Sequence, residues 1–281
     1  MSFQAKTLKK LNKLFPKPVH PFNMQAEGKM SYARWQYEKG ADTIKFYLEY
    51  ASADEMFKGK NVLDVGCGAG GKSMYYVHLG AKKVVGIDIV ERYAEESKKL
   101  SEELGIEGFE FYLRDAKDTG FDDNTFDTVI MNDAMEHVAE PEAVLKELKR
   151  ILKPGGRVYV NFPPYNHPYG AHLSDVIGFP WVQVFFSDKT LIEVYKDLVR
   201  DMKDGDERIK FRISENEKGE EYFSYINKMT IKRFKGIKEG AGMEVKYYNE
   251  APLRGFLKPF CIGPLKEYFV KMAVCVFEKG I

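Results

Sequence analysis

The residues whose types and spacing could do chemistry fall in a few short stretches. One is Val62-Leu63-Asp64-Val65-Gly66-Cys67-Gly68-Ala69-Gly70-Gly71, an apolar run that ends in an acid and a cluster of glycines. Glycines let the chain turn sharply and let a ligand approach the main chain without Cβ clashes. Gly66, Gly68 and Gly71 also satisfy G-x-G-x-x-G, so this turn alone leaves a nicotinamide dinucleotide open as its ligand. Asp88 closes the run Val84-Val85-Gly86-Ile87, where an acid can accept from both hydroxyls of a ribose, or cap the helix that follows. Asp115, after Leu113-Arg114, can accept from an adenine amino group or serve as a solvated turn residue. Asn132-Asp133-Ala134-Met135-Glu136-His137 pairs carboxylates with an imidazole and suits proton transfer, although Asp133-x-x-Glu136 also reads as a capping box that starts a helix. Pro163 to His172 adds Tyr165, His167, Tyr169 and His172.

The elements that must position these groups follow from periodicity. Short apolar runs alternate with helical periods from residue 61 onward, which predicts βαβ units and a parallel sheet. Strands are expected at Asn61–Val65, Lys83–Ile87, Phe109–Leu113, Phe126–Met131 and Arg157–Phe162, the last after a Pro154-Gly155-Gly156 turn. Helices are expected at Gly71–Leu79, at Glu91–Leu104 with Gly105 past its end, and at Pro141–Leu152, which aligns Val144, Leu145, Leu148 and Ile151. After Phe162 the rhythm breaks into clustered aromatics, prolines and charges, and such a long interruption reads as an inserted subdomain. Regularity returns with Thr230 as N-cap of Ile231–Glu239, then strands Met243–Tyr248 and Tyr268–Phe277. Ahead of the sheet, an aromatic helix is expected over Tyr32–Tyr50. Residues 1–26 carry five lysines and no acid, with Leu8, Leu11, Leu14 and Phe15 at helical spacing. That segment reads as a helix on an anionic membrane or as a surface helix packed on the body; breaks at Pro16 and Pro18 favour the second.

Composition bounds the class. The chain has 281 residues, 44% of them hydrophobic, enough for a large core. A net charge of +1 gives no argument for nucleic acid. Cys67, Cys261 and Cys275 are odd in number and far apart, which disfavours a disulfide framework or a zinc site and points to a reducing cytoplasm. No apolar run is long enough for a membrane span, and no signal peptide is visible.

The glycine turn, Asp88, Asp115, the Glu136-His137 pair and the Lys153-Pro154-Gly155-Gly156 turn, taken in this order, resemble the class I, seven-stranded S-adenosylmethionine-dependent methyltransferases of the small-molecule type. Nicotinamide dehydrogenases share only the first two features. The resemblance implies a doubly wound, mostly parallel α/β sheet of order 3-2-1-4-5-7-6, its strand seven antiparallel, with a cap subdomain inserted after strand five. The implied division is 1–54 as an N-terminal helical lid, 55–162 as the cofactor-binding core, 163–224 as the cap and 225–281 as the rest of the core. It also implies that Asp64 and the backbone of Gly66, Cys67 and Gly68 hold the methionine part of the cofactor and Asp88 its ribose. Ile89 would pack on the adenine, Asp115 accept from its amino group, Ala116 lie beside the ring, and Asn132 line the methionine side near the sulfonium.

Methyl transfer from a sulfonium is an in-line displacement that needs alignment, exclusion of water and, for some acceptors, a base. His137 is the first expected base. His167 and Tyr165 come directly off the fifth strand and are expected over the acceptor, with Tyr169, His172 and Trp181 as further contacts. Asp133, Glu136 and His137 have the ligand types of a divalent cation site, as related quinone-precursor O-methyltransferases suggest, but no metal is expected here. The expected products are S-adenosylhomocysteine and a methylated small molecule. RNA or protein acceptors are disfavoured by the charge and by Asn132-Asp133-Ala134-Met135 standing where those enzymes carry N-P-P-Y. Phe162-Pro163-Pro164-Tyr165 has that look, but after the wrong strand. A non-catalytic cofactor-binding partner subunit is disfavoured by the intact carboxylates. The basic N-terminus and Tyr268–Phe277 could serve a homodimer interface.

Overall fold

A computed structural model describes residues 1–17 and 19–281; Pro18, one of the two expected helix breakers, lies outside the described residues. Nine strands form among the described residues: β1 (Asn61–Val65), β2 (Lys83–Asp88), β3 (Phe109–Leu113), β4 (Phe126–Asn132), β5 (Leu152–Phe162), β6 (Ile213–Glu215), β7 (Glu221–Phe223), β8 (Glu244–Pro252) and β9 (Val270–Glu278). Seven of them make one sheet in the order β3-β2-β1-β4-β5-β9-β8, and β6-β7 make a separate hairpin. The first five pair in parallel, while β9 runs antiparallel to both β5 and β8. This is the expected 3-2-1-4-5-7-6 sheet with its seventh strand reversed. Central strands buried on both faces explain their continuous apolar runs.

Helices flank the sheet: α1 (Phe3–Asn12), α2 (Pro21–Ala26), α3 (Tyr32–Glu38), α4 (Gly40–Ile44), α5 (Ala53–Phe57), α6 (Gly71–His78), α7 (Arg92–Leu104), α8 (Pro141–Ile151), α9 (Val182–Phe185), α10 (Asp188–Val199), α11 (Gly205–Arg212), α12 (Ile231–Gly240) and α13 (Lys266–Phe269). On α8, Pro141 occupies the first turn and Val144, Leu145, Leu148 and Ile151 are buried against the sheet, together with Phe234 of α12. The other face packs Tyr47, Met56, Phe57 and Tyr76 against Ile130, Tyr159 and Val274. A third cluster lies outside the sheet: Ala5 and Leu8 of α1 join Leu173, Val176, Leu191, Val194, Tyr195 and Ile213.

Several expectations change in detail. The helix foreseen over Tyr32–Tyr50 is two short helices. The chain breaks at Lys39–Gly40, where Gly40 passes so close to Tyr75 that any Cβ would overlap the ring. The Pro154-Gly155-Gly156 turn is a bulge inside β5, because Phe126 pairs with Leu152 while Thr128 pairs with Arg157. The capping box at Asp133 and Glu136 does not form. Asp133 has φ +51, His137 N–H closes a turn on Ala134 C=O at 3.0 Å, and the next helix starts only at Pro141. The first turn of the foreseen Tyr268–Phe277 strand belongs to α13. Thr230 caps α12 as expected, accepting from Arg233 N–H. The apolar side of α1 is used in packing: Leu8 is fully buried and Lys9 pairs with Asp197 of α10, as the surface-helix reading required.

Candidate functional site

The carboxyl ends of β1, β2 and β4 bring the sequence motifs together. β1 runs into a turn in which Gly66, Gly68 and Gly70 have φ of +68, +58 and +75, conformations that favour glycine. The turn is pinned by its neighbour strand: Gly66 N–H and Cys67 N–H both donate to Ile87 C=O, at 2.9 and 3.1 Å. Asp88 fixes the far side, accepting from Gly68 N–H at 2.8 Å and Val90 N–H at 3.0 Å. Each of its oxygens keeps a lone pair for a further donor. Ile89, next to it, is 72% exposed, an open apolar surface at the strand end.

Asp64 sits beneath the turn, buried, and accepts from Ser73 O–H at 2.6 Å. Burial pushes its carboxyl up from 3.8 to about 6, against the Ser73 hydrogen bond and the charge of Lys72. Asp88 is also shifted upward by burial. Asp64 thus sets a carboxyl beneath the turn, where its charge would repel an anionic pyrophosphate and attract a cation, whereas Asp88 suits the ribose of either cofactor.

Two further residues, invisible in the sequence, close over the turn. Gln36 of α3 donates to Cys67 C=O at 3.2 Å and accepts from Gly71 N–H at 3.4 Å. Tyr32 of α3 lies against Gly68, where a Cβ would come within 3.2 Å of its hydroxyl, and its ring is tilted 44° against that of Tyr93 at 5.5 Å. Burial, with Tyr93 and Asp88 nearby, raises its phenol well above 10.

The other expected cofactor contacts are placed less directly. Asp115 is exposed and accepts from Lys117 N–H at 3.0 Å, a local turn bond, while Ala116 is packed into the core beside it. Asn132 is buried with its amide committed to neighbours: it accepts from Tyr47 O–H at 2.5 Å and Asn161 at 2.8 Å, and donates to Tyr76 at 3.2 Å. It therefore braces β4 against β5.

The strongest constellation lies just past β4. Glu136 is 3% exposed and neither of its carboxylate oxygens has a hydrogen-bond partner among the described residues. His137 Nε2 and His172 Nε2 lie 3.9 and 3.8 Å from Glu136 Oε1, with the two rings edge to face at 4.9 Å. His137 Nδ1 is 2.6 Å from Tyr225 C=O; a carbonyl can only accept, so Nδ1 carries the proton and Nε2 keeps its lone pair. Burial, with Asp133 adding repulsion, raises the Glu136 carboxyl well above its ordinary range, and burial lowers both imidazoles. Each shift favours the neutral form of its group, and no hydrogen bond joins Glu136 to either imidazole. One-third of the His137 side chain stays open (34%).

His137, Glu136 and His172 offer ligand atoms within 4.8 Å of one another, so they could also hold a metal ion. Asp133, grouped with Glu136 and His137 from sequence, pairs instead with Lys72 at 3.1 Å, and His172 takes its place. His167 is close by but turned to its own loop, accepting from Tyr169 N–H at 3.1 Å; burial brings its imidazole down to about 4. Tyr165 is not in the cluster. Its ring packs with the cap cluster under Lys228, at 5.6 Å, and burial pushes its phenol up to about 12. A cleft of about 310 Å³ opens beside Asp133 and Asn161, walled by Trp35, Phe46, Lys72 and Lys271.

The sheet order and the placement of the turn define the Rossmann-like class I methyltransferase fold. Residues 56–222 match the methyltransferase domain family, and the chain belongs to it. Among curated relatives, the ubiquinone biosynthesis O-methyltransferase of Coxiella burnetii (strain RSA 493 / Nine Mile phase I) is 30% identical over 135 residues, 48% of this chain and 56% of that protein. The mitochondrial ubiquinone biosynthesis O-methyltransferase of Dictyostelium discoideum is 29% identical over 154 residues, 50% and 47% of the two chains. The chain thus spans about half the length of these relatives. Among solved structures, the YcgJ protein of Bacillus subtilis superposes with a TM-score of 0.53 at 14% identity, covering 86% of this chain and 99% of that one. The cyclase SpnF gives a TM-score of 0.57 at 15% identity, covering 98% and 97%.

Proposed function

We propose that the chain transfers a methyl group from S-adenosylmethionine to a small-molecule acceptor by in-line displacement, releasing S-adenosylhomocysteine. The observation that carries this reading is the buried Asp64 carboxylate beneath the glycine turn, backed by Asp88 at the next strand end. The donor's methionine part brings an ammonium group and its sulfonium a second positive charge, and both suit the Asp64 carboxylate, which would repel a pyrophosphate. Asp64 and the main chain of Gly66 to Gly68 would hold the methionine part, Asp88 the ribose and Ile89 one adenine face, while Asp115 is free to turn toward the adenine edge. When bound, the donor supplies a methyl group already activated for displacement. Tyr32 and Gln36 cover the turn and keep water out. His137 and His172, neutral with lone pairs beside Glu136, would accept a proton from an acceptor hydroxyl or amine.

Ubiquinone biosynthesis enzymes among the relatives support a small-molecule acceptor, and as O-methyltransferases they support an oxygen as the accepting atom. The same fold in a cyclase is a reminder that the site and not the sheet decides the reaction. Calorimetry with S-adenosylmethionine and with NAD tests the reading: the methyl donor should bind and NAD should not. Asp88→Ala should weaken donor binding about 30-fold or more, given the worth of charge-assisted hydrogen bonds. Tight NAD binding without donor binding would sink the proposal.

A second reading has one observation in its favour: both Glu136 oxygens are buried and unpaired, facing two imidazoles. A divalent cation held there would orient an acceptor carrying vicinal oxygens. Chelator-treated protein, assayed with and without added Mg²⁺, separates the two: full turnover without metal favours proton transfer alone.

A further inference from the structure

The exposed large apolar side chains are not scattered evenly. Phe256, Phe260, Ile262 and Leu265 are 76%, 56%, 72% and 60% exposed, all within the stretch of short 3₁₀ turns that joins β8 to α13. Val184 and Phe185 of α9 are 44% and 66% exposed, and Leu14 just past α1 is 74% exposed. These three segments touch. Phe15 meets Phe179 at 5.1 Å, Phe179 meets Phe185 at 5.9 Å, and Trp181 Nε1–H donates to Tyr268 C=O at 3.2 Å. Bulky apolar groups held out in water over connected segments mark an interaction surface.

Charge identifies what covers it. The chain has 42 acidic residues, yet none falls in residues 1–26, 176–187 or 253–266. Those same stretches hold Lys10, Lys13, Lys17, Arg254 and Lys258, none of them in an ion pair among the described residues. Lys9, paired with Asp197, and Lys266, paired with Glu250 at 2.7 Å, are the exceptions. A rim of cations around protruding phenylalanine, isoleucine and leucine side chains matches an interface with an anionic bilayer, where the apolar groups enter the acyl boundary and the cations meet headgroups.

We propose that the β8–α13 segment, with α9 and the end of α1, docks this protein on an anionic lipid surface. No helix among the described residues is long and apolar enough to cross a membrane, so this is attachment from one side. The patch shares no residue with the glycine turn or with the Glu136 cluster, so the proposal stands or falls independently of the methyl-transfer reading.

Flotation of the full chain with vesicles of phosphatidylcholine alone, or with phosphatidylglycerol added, tests it. Binding should favour the anionic vesicles by about tenfold or more and weaken as salt is raised. The triple substitution Phe256→Ser, Phe260→Ser, Ile262→Ser should cut that binding by about tenfold. It should leave the melting temperature and S-adenosylmethionine affinity unchanged, since the replaced side chains contact mainly water. Failure to bind anionic vesicles, or equal binding by the variant, overturns the proposal. So does light scattering that shows a dimer which the variant dissociates, with no vesicle binding by either form; the patch would then be an interface between copies.

Discussion

Asp64 carries a buried charge that the unliganded protein would be more stable without. Its folded value, about 6, lies above the ordinary 3.8, so the folded chain binds this proton more tightly than the unfolded chain does. Stability from this group is therefore full below about pH 4, falls as pH rises toward 6 and stays lowered above it, by on the order of 3 kcal/mol. An Asp64→Asn variant keeps an acceptor for Ser73 and removes the charge. At pH 7.5 its melting temperature without cofactor should rise by about 3 °C or more, while donor affinity falls about 30-fold. Scanning calorimetry and titration calorimetry read the two effects; a lower melting point with unchanged affinity would make Asp64 purely structural. The same group sets a pH dependence. An ammonium partner needs the ionised carboxylate, so wild-type affinity for S-adenosylmethionine should be flat above about pH 6 and drop up to tenfold per unit below it. The variant should lose that slope.

At the scale of elements, the glycine turn is packed against α3. Gly71 begins α6 where a Cβ would overlap Ala33 C=O and come within 2.6 Å of Tyr37 N and 2.8 Å of Gln36 Cβ. Two of those neighbours are backbone and cannot yield without moving α3. Gly71→Ala should therefore cost about 2 kcal/mol or more and loosen α3. Thermal melts should show the loss, and hydrogen exchange should speed up over residues 31–38 ahead of the sheet; protected amides there would refute the coupling. This contact also marks where sequence reasoning stopped. The βαβ order, the turn at Gly66–Gly71, Asp88 and the α8 stripe were legible because each is a local pattern in one strand or helix. Tyr32 and Gln36 were not, because nothing in their own helix signals that it lies across β1's turn. His172 is expected from sequence only as a contact over the acceptor. Its meeting with Glu136 and His137 spans 35 positions and depends on how the cap returns to the sheet, with Asn227 N–H on Glu136 C=O at 2.8 Å. The capping box failed for a related reason: Asp133 spends its carboxylate on Lys72, a tertiary partner.

At the scale of the whole molecule, α1 and residues 171–226 share one apolar cluster, distinct from the two that flank the sheet. Its polar centre is Asp175, fully buried. The carboxylate accepts from Arg208 Nη1 at 2.9 Å and Tyr195 O–H at 2.9 Å, and lies 3.4 Å from Arg212 Nη2. Arg208 has a second partner in Asp204 at 2.8 Å, but Arg212 pairs only with Asp175 among the described residues and stacks among the rings of Phe22, Tyr195, Phe211 and Tyr225. Arg212 in turn donates through Nε to His172 C=O at 3.4 Å, which links the buried charge to the histidine beside Glu136. Asp175→Asn would leave a buried guanidinium without a counter-charge, a change that costs about 3–5 kcal/mol in comparable buried pairs. The loss should appear first in residues 171–226, because the carboxylates proposed to hold the donor belong to the sheet. We therefore expect protease cleavage within residues 163–224, turnover reduced at least tenfold and S-adenosylmethionine affinity within about twofold of wild type. Loss of cofactor binding in step with turnover would show instead that cap and sheet fold as one cooperative unit, and that His172 is held by the whole molecule and not by Arg212.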